Sequence, residues 1–295
     1  MDSASKEIKL NVTIKSNGTE MVISTLGAEP QSLKRDGIEY IWQGDKAFWS
    51  RRAPLLFPTI GATPDGKITA KGREYTMPNN GFARDVEWKL ESAGDSSAAF
   101  ILEDDEEIRE KYYPFGFSIR VTYTVEEDGY RAKAEIHAKE DIWYTFGWHP
   151  AFSLDINGKG TELETYTVSF EQNERCDRKY AKDGVFVVEK DFLTGDSIDL
   201  SREETGKGAI ILEGIRSREV TLTSSAGEHG VTAYMGDMPV LTIWTVEGKK
   251  AQFVCIEPML SFGDKTRAPE IEKMAQSTML PAGSTAVYEN AFRIF

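Results

Sequence analysis

Two side chains stand in settings that acid–base chemistry would need. His149 lies in Trp143-Tyr144-Thr145-Phe146-Gly147-Trp148-His149-Pro150-Ala151-Phe152, among five aromatic residues. Histidine carries protons near neutral pH, so an imidazole walled by rings is either a packed core residue or a general acid or base in a cleft. Glu257 is the lone carboxylate of Phe253-Val254-Cys255-Ile256-Glu257-Pro258-Met259-Leu260. Alternation puts Phe253, Cys255 and Glu257 on one face. Such a glutamate either meets a basic partner at a strand end or is partly desolvated, which raises its pKa and suits a general base.

Polar groups elsewhere could hold a hydroxyl-rich ligand. Asn79-Asn80-Gly81-Phe82-Ala83-Arg84-Asp85 is a turn that offers the Asn80 amide and the Arg84 guanidinium, or simply closes an ion pair. Arg51 and Arg52 precede the apolar, proline-flanked Ala53-Pro54-Leu55-Leu56-Phe57-Pro58. They are surface charges, or one of them projects into a cleft. Trp148 would supply a flat face for a sugar ring. The other histidines read as bland: His137 lies on the charged face of its strand, and His229 falls at a hairpin tip. Three histidines and two separated cysteines have no metal-ligand spacing, so no transition-metal site is expected. Gly263-Asp264-Lys265-Thr266 ends like a phosphate loop but lacks the earlier glycine.

The elements that must position these groups are strands. Phe117, Ile119, Val121, Tyr123 and Val125 alternate with Ser118, Arg120, Thr122 and Thr124. Tyr130 to Ala138 and Ile8 to Ile14 alternate in the same way, the mark of half-buried strands. Further strands are predicted at 20–26, 86–91, 98–103, 165–170, 209–213, 219–223, 230–235, 240–246, 251–257 and 286–294. Turn pairs such as Asn17-Gly18, Asp128-Gly129, Asn157-Gly158 and Glu247-Gly248 separate them. Helical signal is confined to 103–111 and a turn or two at 270–276. The fold class predicted is all-β: a large antiparallel β-sandwich, with residues 1–295 as one domain.

Composition narrows the partners. The chain has 295 residues, with 40% hydrophobic, 28% charged and a net charge of −13. A negative surface argues against nucleic acid and against anionic membranes. No apolar run is long enough for a membrane span, and the first residues do not read as a signal peptide. The expectation is a cytoplasmic protein with reduced thiols at Cys176 and Cys255, monomeric or homodimeric.

In order along the chain, six segments resemble motifs of the aldose 1-epimerase (galactose mutarotase-like) superfamily, in its shorter bacterial branch. They are Leu26-Gly27-Ala28-Glu29, the stretch 51–61, Gly81-Phe82-Ala83-Arg84-Asp85, Tyr113-Pro114-Phe115-Gly116-Phe117, Gly147-Trp148-His149-Pro150-Ala151-Phe152 and Ile256-Glu257-Pro258. The resemblance implies a β-sandwich with a concave face that holds a small-molecule sugar. It implies an isomerase that interconverts α and β anomers by opening and reclosing the ring, with no metal and no cofactor. Glu257 would take the proton from the anomeric hydroxyl and His149 would give one to the ring oxygen, from opposite sides of the ring. A carboxylate nearby would favour protonated His149. Arg51, Asn80, Arg84 and Trp148 would contact the sugar. Asn80 stands where the family usually has a second histidine, and an amide cannot transfer a proton. Two other readings follow. One is a hexose-6-phosphate mutarotase that uses Arg51, Arg52 and Arg84. The other is a carbohydrate-binding protein whose catalysis has weakened.

Overall fold

The computed structural model describes residues 10–156, 162–182, 185–263 and 270–295. Ile8, the Asn157-Gly158 turn and residues 264–266 of the rejected phosphate-loop segment lie outside them. The described chain is all-β and every paired strand is antiparallel, apart from two isolated parallel bridges. A four-stranded sheet is built from Asn11–Ser16, Thr19–Ser24, Glu29–Arg35 and Ile38–Glu39. A second sheet has fifteen strands.

One end of the large sheet is a run of hairpins that the period-two reading located. Phe117–Glu126 pairs with Gly129–Ala138 through the Asp128-Gly129 turn. Ser97–Glu103 and Thr285–Ile294 flank that hairpin. Inward residues of both sheets form one continuous core. Ile14, Met21, Ile23 and Leu33 come from the small sheet, and Phe100, Ile119, Val121 and Tyr123 from the large one. Two sheets that each bury one face against the other make a sandwich.

The other end carries the candidate site. Gly147–Trp148, Phe253–Met259, Val240–Trp244, Ile210–Glu213 and Tyr166–Lys182 lie side by side in that order. Tyr166–Lys182 continues into a hairpin with Val185–Asp199, a partner with no strand expected from its sequence. Its burial pattern is mostly exposed on both faces, so no apolar alternation marks it. The hairpin Lys67–Ala70 with Arg73–Thr76 was also not expected. The helical segments shrink to Glu106–Lys111, capped by the Asp105 side chain on the Ile108 amide, and to a 3-10 turn at Ile271–Lys273. His229 is buried and bonds the Tyr166 hydroxyl at 3.0 Å, rather than sitting at an open hairpin tip. His137 keeps to the outer face, against Thr285.

Candidate active site

The sheet register brings the acid–base candidates together. Phe253–Met259 pairs Met259 with Gly147 and Cys255 with Ala151. That antiparallel register carries His149 opposite Glu257. Between the two paired points stand Pro150 and Pro258, which have no amide hydrogen to complete a ladder. Each proline also holds the preceding residue extended. The His149 amide donates instead to the Pro54 carbonyl at 3.1 Å, and the Ile256 amide to the Pro150 carbonyl at 3.2 Å. On its other side Glu257 faces Thr242, and Thr242 faces Ile211. His149, Glu257, Thr242 and Ile211 thus form one row across the floor of a cavity of about 520 Å³.

His149 Nδ1 lies 3.5 Å from Glu257 Oε1, and both side chains are buried. The indole of Trp49 stacks on the imidazole at 4.9 Å between centroids, and Trp244 meets it edge-on at 5.7 Å. Burial, with the Arg84 charge second, lowers the His149 pKa from 6.5 to about 3. Burial pushes the Glu257 carboxyl well above its ordinary range. The expectation that a neighbouring carboxylate would keep His149 protonated is therefore reversed. Burial favours the uncharged forms of both groups, an imidazole beside a carboxyl, over the ion pair. The two groups also stand side by side rather than across a ring. That suffices for ring opening, because the anomeric hydroxyl and the ring oxygen are bonded to the same carbon.

The remaining sugar-contact candidates divide. Arg84, Arg51 and Asn80 all line the cavity. Arg84 has a buried Nε with no hydrogen-bond partner among the described residues. Arg51 is engaged, since it bonds the Asp85 carboxylate and donates to the Arg84 carbonyl at 2.8 Å. Arg52 turns away to the Gln31 side chain and the Gln43 carbonyl. The Asn80 side-chain oxygen accepts the Gly61 amide at 2.6 Å, which leaves its NH₂ to donate to a ligand. Trp148 lies outside the cavity lining. It is one residue from His149 on an extended chain, so its ring points to the opposite face, against Phe146 and Tyr123. The aromatic wall is Trp49 and Trp244 instead.

Several contributors have no local signal in the sequence. Thr242 is buried in the cavity floor with a hydroxyl that has no hydrogen-bond partner among the described residues, and only its register opposite Glu257 reveals it. Glu29 accepts the Arg52 amide at 2.7 Å and the Ala53 amide at 3.1 Å, which fixes the turn that carries Arg51. Arg178 is fully buried and donates to the Gly208 carbonyl at 2.8 Å, which steadies the loop that presents Ala209 to the cavity. With Cys255, the pair also makes a group of three metal-binding side chains whose ligand atoms all lie within 4.8 Å.

Residues 11–267 match the family model described as Aldose 1-epimerase. The chain belongs to the aldose 1-epimerase family. Protein LacX (plasmid) of Lactococcus lactis subsp. lactis is 28% identical over 263 residues, covering 84% of this chain and 87% of that protein. A galactose mutarotase-like protein from Lactobacillus casei ATCC 334 superposes with a TM-score of 0.88 at 28% identity, over 97% of this chain and 100% of the other. A galactose mutarotase related enzyme from Lactobacillus acidophilus gives a TM-score of 0.89 at 28% identity, over 97% of each chain. Membership in the aldose 1-epimerase family makes a small-molecule sugar the ligand class. The matched span contains the cavity floor, the Asn80–Arg84 turn and both members of the acid–base pair.

Proposed function

We propose that this protein is an aldose 1-epimerase that interconverts the α and β anomers of a free sugar. One observation carries the reading: a buried imidazole and a buried carboxyl 3.5 Å apart on the floor of a cavity large enough for a sugar. Glu257 takes the proton of the anomeric hydroxyl while His149 protonates the ring oxygen. The C1–ring-oxygen bond breaks and the hydroxyl oxygen becomes the aldehyde. Rotation about C1–C2 and the reverse transfers close the other anomer. These roles need carboxylate and imidazolium, which differ from the resting neutral pair by one proton across the Nδ1···Oε1 gap. Ring opening ends with neutral His149 and protonated Glu257, the form that burial favours. Arg84 and the Asn80 amide donate to sugar oxygens, and Trp49 and Trp244 wall the ring.

The test follows freshly dissolved α-glucose and α-galactose by polarimetry or NMR, with buffer catalysis subtracted. The protein accelerates the change. Glu257→Gln and His149→Asn each lower the rate by about 10²–10⁴-fold, the usual contribution of one proton-transfer group, with circular dichroism unchanged. A folded variant that retains the full rate removes that residue from its role. A second reading, a sugar-binding protein, draws on Asn80, whose amide can donate but not titrate. Saturable sugar binding without acceleration would favour it.

A further inference from the structure

We propose that His149, Cys255 and Glu257 form a binding site for a borderline-soft divalent cation of the Zn²⁺ class, and that its occupancy switches the acid–base pair off. The switching half rests on the epimerase reading; the binding half does not.

The donor set is one imidazole nitrogen, one thiol and one carboxyl, all buried. Three protein ligands of these types with one open position are what a tetrahedral zinc site with an exchangeable water uses. Ligand atoms around such an ion sit roughly 3.3–3.8 Å apart, given bonds of about 2.0–2.3 Å. His149 Nδ1 and Glu257 Oε1 are already 3.5 Å apart. The sulfur lies within 4.8 Å of both, so a small side-chain rotation completes the triangle. Two observations point the site at a ligand. His149 Nδ1 is buried with no hydrogen-bond partner among the described residues. The carboxyl and imidazole also line the cavity, which supplies the open position and an entry path. The strand makes the juxtaposition: Cys255 and Glu257 project to one face, and the register sets His149 opposite Glu257.

Binding of the cation displaces the thiol proton and the carboxyl proton to solvent, and the nitrogen lone pair, thiolate and carboxylate become ligands. Neither His149 nor Glu257 can then exchange protons with a sugar. The thiophilic donor makes the site selective. Mg²⁺ and Ca²⁺, which prefer oxygen, leave the enzyme active.

Co²⁺ serves as the spectroscopic probe and Zn²⁺ as the inhibitor, both with the full chain. One equivalent of Co²⁺ gives a thiolate-to-metal charge-transfer band in the near ultraviolet. Cys255→Ala abolishes that band and weakens Zn²⁺ binding by at least about tenfold, while Cys176→Ala, at a remote buried thiol, changes neither. Cys255→Val gives the same loss and guards against a folding defect in the alanine variant. Zn²⁺ inhibits anomerisation and EDTA restores it. Absence of the thiolate band in the wild type, or unchanged Zn²⁺ affinity in both Cys255 variants, overturns the site. A thiolate band in a protein that anomerises no sugar would sink the epimerase reading and leave the site standing.

Discussion

In the proposed mechanism His149 and Glu257 share one titrating proton between two buried groups, and this sets the expected pH dependence. The working form carries that proton on either partner. A second proton arrives only below the depressed His149 value of about 3, and the last one leaves only above the raised Glu257 value. kcat/KM is therefore expected to fall on the acid side only toward the depressed His149 value of about 3 and on the alkaline side above the raised Glu257 value, with no His149 step near the ordinary imidazole value of about 6.5. An NMR titration of the His149 ring checks this, and a midpoint near that ordinary value for the ring itself would show that His149 titrates as an exposed imidazole. The two residues stood out by type, a histidine among aromatics and a lone glutamate in an apolar strand, while their acid and base roles came from the family resemblance. The protonation of the pair was not legible. Pair attraction can be guessed from two residue names, but desolvation depends on everything packed around them.

At the scale of elements, the site depends on a sharp turn packed against the Phe57 segment. Asn80 and Gly81 both adopt left-handed backbone, with φ of 63° and 75°. Gly81 bridges Phe57, and a Cβ there would fall 1.9 Å from the Phe57 carbonyl oxygen. Gly81→Ala is expected to cost about 3 kcal/mol, from unfavourable φ and from backbone that must separate. Because Asn80 and Arg84 ride on the same turn, sugar affinity should fall as well. Urea denaturation and sugar titration of one sample check both effects, and unchanged values in both would refute the argument. The alternating strands around 117–125 and 130–138 were readable because one face of each is apolar and the other polar. The strand Val185–Asp199 was not, because most of it is exposed on both faces. The turn at 79–85 could be found from Asn-Gly, but its approach to Phe57 could not.

At the scale of the whole molecule, the net charge of −13 opposes anionic ligands, and two of the three arginines that might offset it are committed, which leaves Arg84 as the one that faces the cavity unpaired at Nε among the described residues. Arg51 is held by Asp85, and Arg52 by Gln31 and Gln43. A hexose 6-phosphate should bind no more tightly than the free hexose, and its affinity should rise with salt as repulsion is screened. Tighter binding that salt weakens, seen by calorimetry, would restore the phosphosugar reading. The amino-acid sequence by itself determined the all-β class, because period-two patterning is a local property, and it singled out His149 and Glu257 as candidates for an acid–base pair. The six ordered motifs also carried the family. Only the tertiary structure decided that His149 faces Glu257, that Trp49 and Trp244 rather than Trp148 wall the site, that Thr242 completes the floor, and that the Cys255 sulfur comes within 4.8 Å of both ligand atoms of the pair. Register, burial and facing are sums over residues far apart in the chain, and no short segment contains them.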